Sequence, residues 1–321
     1  MKFLLTGGAG FIGHNVAKIL ETQGHECAIL DSMTDYGFIP RAEVDYLVAE
    51  RLKKINSWIF HHDIRDVAMV NQLMDTIRPD VVIHLASFPR QKVVGQNPLL
   101  ASDVMSTGLV NLLEAAKSHQ VKRFVYISSS MVYGDFENDV TEDFHCRPQG
   151  QYGIMKLMGE HLVQDYTRRG CFDHVIIRPS AVYGELDVED RVVSKFMLAA
   201  LRGETLKVNG AGETLDFTYV EDAAAGIAAA AVSPTASGVY NITKSHSHSL
   251  LDAAKMAVAI AGKGAIDVRD KDADFPSRGA LNIDRARRDF GFAPQVDVEE
   301  GFARYHHWFL TSEYWRAKIG A

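Results

Sequence analysis

Thr6-Gly7-Gly8-Ala9-Gly10-Phe11-Ile12-Gly13 follows the short apolar run Lys2 to Thr6 and opens a helical pattern. Glycines without Cβ atoms let a backbone turn approach a pyrophosphate, whose charge is met by the N–H groups and dipole at the helix start. Gly7, Gly10 and Gly13 carry the spacing, with Phe11 and Ile12 between them. A tight strand-to-helix turn also favours glycine, so the stretch gains meaning from the residues downstream of it. Asp31 ends the next apolar run, where an acid would hold the diol of an adenosine ribose. The nine residues after Asp31 contain no lysine or arginine, so a 2′-phosphate would meet repulsion there. NAD is therefore expected over NADP. The step His62-Asp63-Ile64 after a third run is a candidate for the adenine edge.

Working outward, short apolar or β-branched runs alternate with helical patterns, the signature of βα units and a parallel sheet. The expected strands are Lys2 to Thr6, Glu26 to Leu30, Ser57 to His61, Asp80 to His84, Arg123 to Ile127 and His174 to Arg178. Runs such as Val81-Val82-Ile83 and Val175-Ile176-Ile177 suit strands buried on both faces. The intervening helices are expected at Ile12 to Thr22, Arg41 to Lys54, Val67 to Thr76, Leu99 to Ser118 and Tyr152 to Thr167. Beyond Arg178 the regularity weakens at Pro179, an acidic stretch and Gly210-Ala211-Gly212. Later helices are read at Ala223 to Ala231, which its alanines suit for close packing, Asp284 to Asp289 and Glu299 to Leu310. The expected fold is α/β, a Rossmann-type doubly wound parallel sheet with a smaller C-terminal substrate-binding lobe. The NAD-binding domain would span 1–178, with 215–241 returning to it, and the lobe 179–214 and 242–321.

Composition removes whole classes. A chain of 321 residues can bury a large core without staples. Its three cysteines are odd in number and form no CxxC pair, so neither a disulfide framework nor a zinc cluster is indicated, and a reducing, cytoplasmic setting fits. The N-terminal apolar run is too short for a signal peptide, and no segment reaches membrane-spanning length. A formal charge of −7 argues against a nucleic-acid surface. The pairs His61-His62, His246/His248 and His306-His307 lack a third ligand, so no metal is expected.

Tyr152-Gly153-Ile154-Met155-Lys156 places a phenol and an ammonium one turn apart on one helix face. Free tyrosine titrates near 10, but a neighbouring ammonium and a cationic nicotinamide favour the phenolate, which makes a base. Ser128-Ser129-Ser130-Met131-Val132-Tyr133-Gly134 follows the fifth strand, where the carboxyl edge of a parallel sheet forms sites and hydroxyls can bridge a sugar alcohol.

Together these motifs resemble the extended short-chain dehydrogenase/reductase family in its nucleotide-sugar epimerase and dehydratase branch. The likeness spans nearly the whole chain. Besides TGGAGFIG and Asp31 it includes HDIRD at His62 to Asp66, HLAS at His84 to Ser87 and SSSMVYG at Ser128 to Gly134. It continues through YGIMK at Tyr152 to Lys156, RPSAVYG at Arg178 to Gly184 and DFTYVEDAA at Asp216 to Ala224. The resemblance implies Tyr152 as general base, Lys156 as the residue that lowers its pKa and binds ribose, and Ser129 on the reacting hydroxyl. It adds Asp63, Ile64, Leu85, Ala86, Ser87 and Pro179 to the cofactor contacts, and implies a homodimer through the helices at Leu99 to Ser118 and Tyr152 to Thr167.

Relatives that dehydrate or decarboxylate resemble one another in an acid just after the hydroxyl residue. Here those positions are Ser130 and Met131. The resemblance is therefore nearest to UDP-glucose and UDP-glucuronate 4-epimerases, with three departures: Asp103 and Ala181 replace asparagines, and Leu215 replaces an arginine. Candidates for the substrate diphosphate are Arg191, Lys195 and Arg278, with Lys92 and Ser130 for the sugar. The expected activity is NAD-dependent epimerisation at C4 of a nucleotide-diphosphate sugar. The competing readings are a ketoreductase or dehydrogenase with exchangeable NAD(H), and a non-catalytic NAD-binding module.

Overall fold

The computed structural model describes residues 1–34, 37–273 and 275–320. Strands form at β1 (Lys2–Thr6), β2 (Glu26–Asp31), β3 (Trp58–His61), β4 (Val81–His84), β5 (Arg123–Ile127) and β6 (Asp173–Pro179), within a residue or so of the expected runs. Their apolar residues alternate between two cores. In β4, Val82 packs into the cluster on one sheet face, while Val81 and Ile83 pack into the cluster on the other. All six strands pair in parallel.

The connecting helices are α1 (Phe11–Thr22), α2 (Arg41–Leu52), α3 (Val67–Ile77), α4 (Gln91–Gln96), α5 (Pro98–Ser102), α6 (Leu109–Ser118) and α7 (Gly150–Arg168). The single helix expected over Leu99 to Ser118 is interrupted, because Asp103–Gly108 runs as a π-helical turn between α5 and α6. The turn ends at Gly108, where a Cβ would stand 2.7 Å from Ile64 Cδ1. Extra-residue bulges of this kind recur beside functional sites.

After β6 come β7 (Val182–Tyr183), α8 (Val192–Arg202), β8 (Thr205–Asn209), β9 (Thr214–Asp216), β10 (Thr218–Tyr219) and α9 (Val220–Val232). The chain finishes with β11 (Gly238–Ile242), β12 (Ser247–Ser249), α10 (Leu250–Ala261), β13 (Ala265–Arg269), α11 (Asp284–Phe290), α12 (Val298–Thr311) and α13 (Glu313–Ile319). Strand β11 pairs in parallel with β6 and completes a seven-stranded sheet of order β11-β6-β5-β4-β1-β2-β3. Alanine-rich α9 packs against α1, and a Cβ on its Gly226 would lie 2.5 Å from Ile242. A third core gathers α8, α10, α12 and α13 around Phe196, Phe302, Phe309 and Trp315.

This order fixes where a site can form. Strand numbering reverses at β1, which lies between β4 and β2. The loops leaving β1 and β4 therefore diverge and open a crevice at the carboxyl edge, the position where ligands bind in such sheets.

Candidate active site

A cleft of about 870 Å³ opens at that edge, and every residue named as a catalytic, cofactor or substrate candidate lines it. Its cofactor end is built from backbone. Gly7 leaves β1 with φ +72°, and a Cβ there would sit 2.5 Å from Ala86 N. A Cβ on Gly13 would be 2.4 Å from Gly7 O, so the turn closes only with glycine at both positions. Helix α1 begins at Gly10 with no side-chain cap and no acid in its first turn. Its positive end faces the cleft, as a pyrophosphate requires.

Asp31 accepts N–H bonds from Ala9 (2.9 Å) and Met33 (2.8 Å), one on each carboxylate oxygen. Burial raises its pKa, and the two backbone bonds oppose that rise. Each oxygen keeps acceptor capacity for a ribose diol. Asp63 is held by Arg65, which donates to both of its oxygens and, through Nη1, to Asp103 Oδ2 at 2.9 Å. The Arg65 bond keeps the Asp63 carboxyl below its usual range. Asp103, which stands where the resembling 4-epimerases carry asparagine, thus anchors the candidate adenine edge to the π-helical turn.

Tyr152 and Lys156 both face the cleft from α7. Lys156 donates to Ile127 O at 2.8 Å, and its Nζ lies 5.3 Å and 5.9 Å from the ring centres of Tyr126 and Tyr152. Burial brings its pKa down to about 7, against the pull of Glu160. Tyr152 is raised by burial, and the opposing influences are the charge of Arg191 and a hydrogen bond with Ser129. The three serines are engaged differently. Ser128 donates to Glu160 (2.5 Å) and Ser130 to Ser180 (3.2 Å), while Ser129 Oγ accepts from the Met131 N–H at 3.2 Å and lies beside Tyr152.

Sequence reasoning missed two residues here. Glu160 lies one turn beyond Lys156 and is buried in a two-bond pair with Arg178 at 2.9 Å and 2.6 Å, besides accepting from Ser128. It ties α7, the serine loop and the approach to Pro179 together, and its i, i+4, i+8 register with Tyr152 was a readable signal. Arg51 lies on α2, buried, and donates to Leu186 O at 2.7 Å and Ala9 O at 3.4 Å. No motif surrounds it in the sequence.

At the substrate end most cations are already engaged. Lys92 pairs with Asp272 (2.8 Å), Lys195 and Arg90 both with Asp190, and Arg191 Nε lies 3.6 Å from Asp187. Arg278 differs: its Nε is buried without a hydrogen-bond partner, and burial beside Arg191 lowers its pKa to about 10. Leu215 and Ala181 line the same wall, and Ala181 has a left-handed φ of +37°.

Residues 3–243 match the NAD dependent epimerase/dehydratase family. The chain belongs to this family. NAD is the cofactor that its glycine turn and Asp31 fit. Over 96% of its length it is 30% identical to 72% of UDP-glucuronic acid decarboxylase 1 of Xenopus tropicalis. Over 94% it is 29% identical to 95% of an uncharacterised UDP-glucose epimerase of Bacillus subtilis. Among solved structures, the UDP-glucuronic acid 4-epimerase of Bacillus cereus, in complex with UDP-glucuronic acid and NAD, superposes with a TM-score of 0.88. That match has 28% identity and covers 96% of this chain and 98% of the other. The family members are nucleotide-sugar epimerases, dehydratases and decarboxylases acting with NAD, and this chain is an enzyme of that kind.

Proposed function

We propose that the protein is a 4-epimerase of a nucleotide-diphosphate sugar. The observation that carries this reading is a phenol, a hydroxyl and a buried lysine (Tyr152, Ser129 and Lys156) in one cleft with the glycine turn, with Ser130 and Met131 after the hydroxyl residue. Elimination or decarboxylation needs a further acid or base beside the sugar, and neither position supplies one.

Tyr152 takes the proton of the C4 hydroxyl while Ser129 holds that oxygen. NAD, which the glycine turn and Asp31 would hold, would supply a reversible hydride acceptor for C4. Lys156 binds the nicotinamide ribose, and Arg191, Lys195 and Arg278 hold the diphosphate, with Lys92 and Ser130 at the sugar. The 4-keto sugar turns over within the cleft, so that the hydride would return to the opposite face of C4 while Tyr152 returns the proton to the C4 oxygen. Segments 179–214 and 242–321 form the substrate-binding lobe in this reading. A homodimer forms through α5 to α6 and α7, whose Leu99 and Ile154 are 87% and 53% exposed.

Net redox is zero in this cycle. The purified protein should carry nicotinamide absorbance and interconvert a nucleotide-sugar pair, followed by NMR, without added NADH. Stoichiometric NADH consumption would instead identify a ketoreductase.

A further inference from the structure

The helix that carries Tyr152 starts without a cap of its own. Gln149 before it makes no side-chain capping bond and directs its amide to Asp135, and the first turn holds no acid. First-turn N–H groups have no intrahelical partner. One of them is met from another segment, because Gln91 at the start of α4 accepts the Tyr152 N–H through Oε1 at 3.1 Å. The contact is close. A Cβ on Gly150 would fall 1.6 Å from Gln91 Nε2, and Gly150 takes φ +76°, a conformation open to glycine. The next residue reaches elsewhere: Lys92 bonds Asp272 at 2.8 Å and lies 5.5 Å from the centre of the Phe275 ring. Two consecutive residues thus connect the base-carrying helix with the segment leading to Arg278.

We propose that Gln91 is a positioning residue for Tyr152: its amide oxygen supplies the missing cap and sets how far the phenol enters the cleft, while Lys92 ties that setting to the 270–278 segment. The inference rests on Tyr152 being the base. A capping oxygen at the third helical residue is the ordinary solution to an open N-terminus; here a distant side chain provides it. An error of about 1 Å in a reacting group can cost on the order of a hundredfold in rate, so a cap at this point has consequences beyond stability.

The test uses the full-length protein with Gln91→Met, which keeps length and loses the acceptor, and Gln91→Glu, which keeps both. Amide hydrogen exchange over 149–156 reads the cap directly. Gln91→Met should lose protection there and lower kcat by about tenfold or more, with KM within about twofold of the parent. Gln91→Glu should restore protection and the alkaline kcat. Its acid limb of kcat/KM should move to higher pH, because a carboxylate beside the helix start opposes phenolate formation. Parental kcat in Gln91→Met, or equal loss in both variants with exchange raised throughout the chain, overturns the proposal. If Tyr152→Phe retains turnover, the assignment of the base fails instead, and the exchange measurement still decides whether Gln91 caps the helix.

Discussion

At the cofactor end of the cleft the contacts come from consecutive backbone at the end of β1 and from one acid at the end of β2. At the substrate end they come from side chains on α4, α8 and the 270–278 segment. The first arrangement is nearly complete within the protein, because Asp31 is already oriented by Ala9 and Met33 and the α1 N-terminus is open. The second is self-neutralised: Lys92, Lys195 and Arg191 each face an aspartate before any diphosphate arrives. A dinucleotide can therefore enter a preformed seat, whereas under the proposed assignment a nucleotide sugar would exchange ion pairs as it binds. Among the described residues Arg278 stands apart as the cation whose Nε is buried without a hydrogen-bond partner.

The sharpest way to break this comparison is at the junction of the two ends. Tyr152→Phe removes the proposed general base but touches neither the glycine turn nor Asp31. Turnover should fall on the order of 10²–10⁴-fold, while co-purified NAD, measured by absorbance and mass spectrometry, should persist. Loss of NAD together with activity would mean that the two ends are not separable. A smaller effect distinguishes cations within the substrate end. Arg278→Met removes a buried charge with an open donor, and KM for the nucleotide sugar should rise about tenfold to a hundredfold, as loss of a charge-assisted bond implies. Lys195→Met removes a charge that Asp190 already engages at the surface, so its KM should change by about threefold or less. Equal effects at the two positions would refute the idea that pairing in the free protein discounts a cation's contribution.

The same contrast explains what could be read from the sequence. Six of the seven sheet strands were legible because each holds a continuous apolar run and the glycine turn sits at a fixed place between strand and helix; β11, interrupted by Asn241, was not read as a strand. That Tyr152 and Lys156 share one helix face was legible from their spacing of one turn, whereas Ser129 was singled out by the family resemblance; all three line the cleft. The break at Asp103–Gly108 was not, since a π-helical turn keeps an apolar pattern that a straight helix also satisfies. The Asp63–Arg65–Asp103 chain, Gln91 and Arg51 were hidden for another reason: each depends on which distant segments the fold brings together. Lys92 and Lys195 were visible as residues, but their aspartate partners were not, so the sequence alone overstated how much free positive charge awaits a substrate.

Ala181 offers the finest test, because there the two ends follow different rules at one position. It comes after Ser180 in the wall of the cleft and takes φ +37°, a conformation that costs an L-residue with a Cβ about 1–2 kcal/mol and that asparagine tolerates better. The resemblance expects asparagine here, a residue that this backbone would accept more readily than alanine. Ala181→Asn should therefore stabilise the fold, by about 0.5–1 kcal/mol in urea denaturation, without altering NAD retention. If KM for the nucleotide sugar rises in the same variant, the methyl group was retained for the substrate at the expense of backbone fit, and the departure is a specificity feature. A variant that gains stability with unchanged KM would place Ala181 outside substrate recognition. Unchanged stability would show that the surrounding β7 and β10 pairing, rather than the residue, sets the turn.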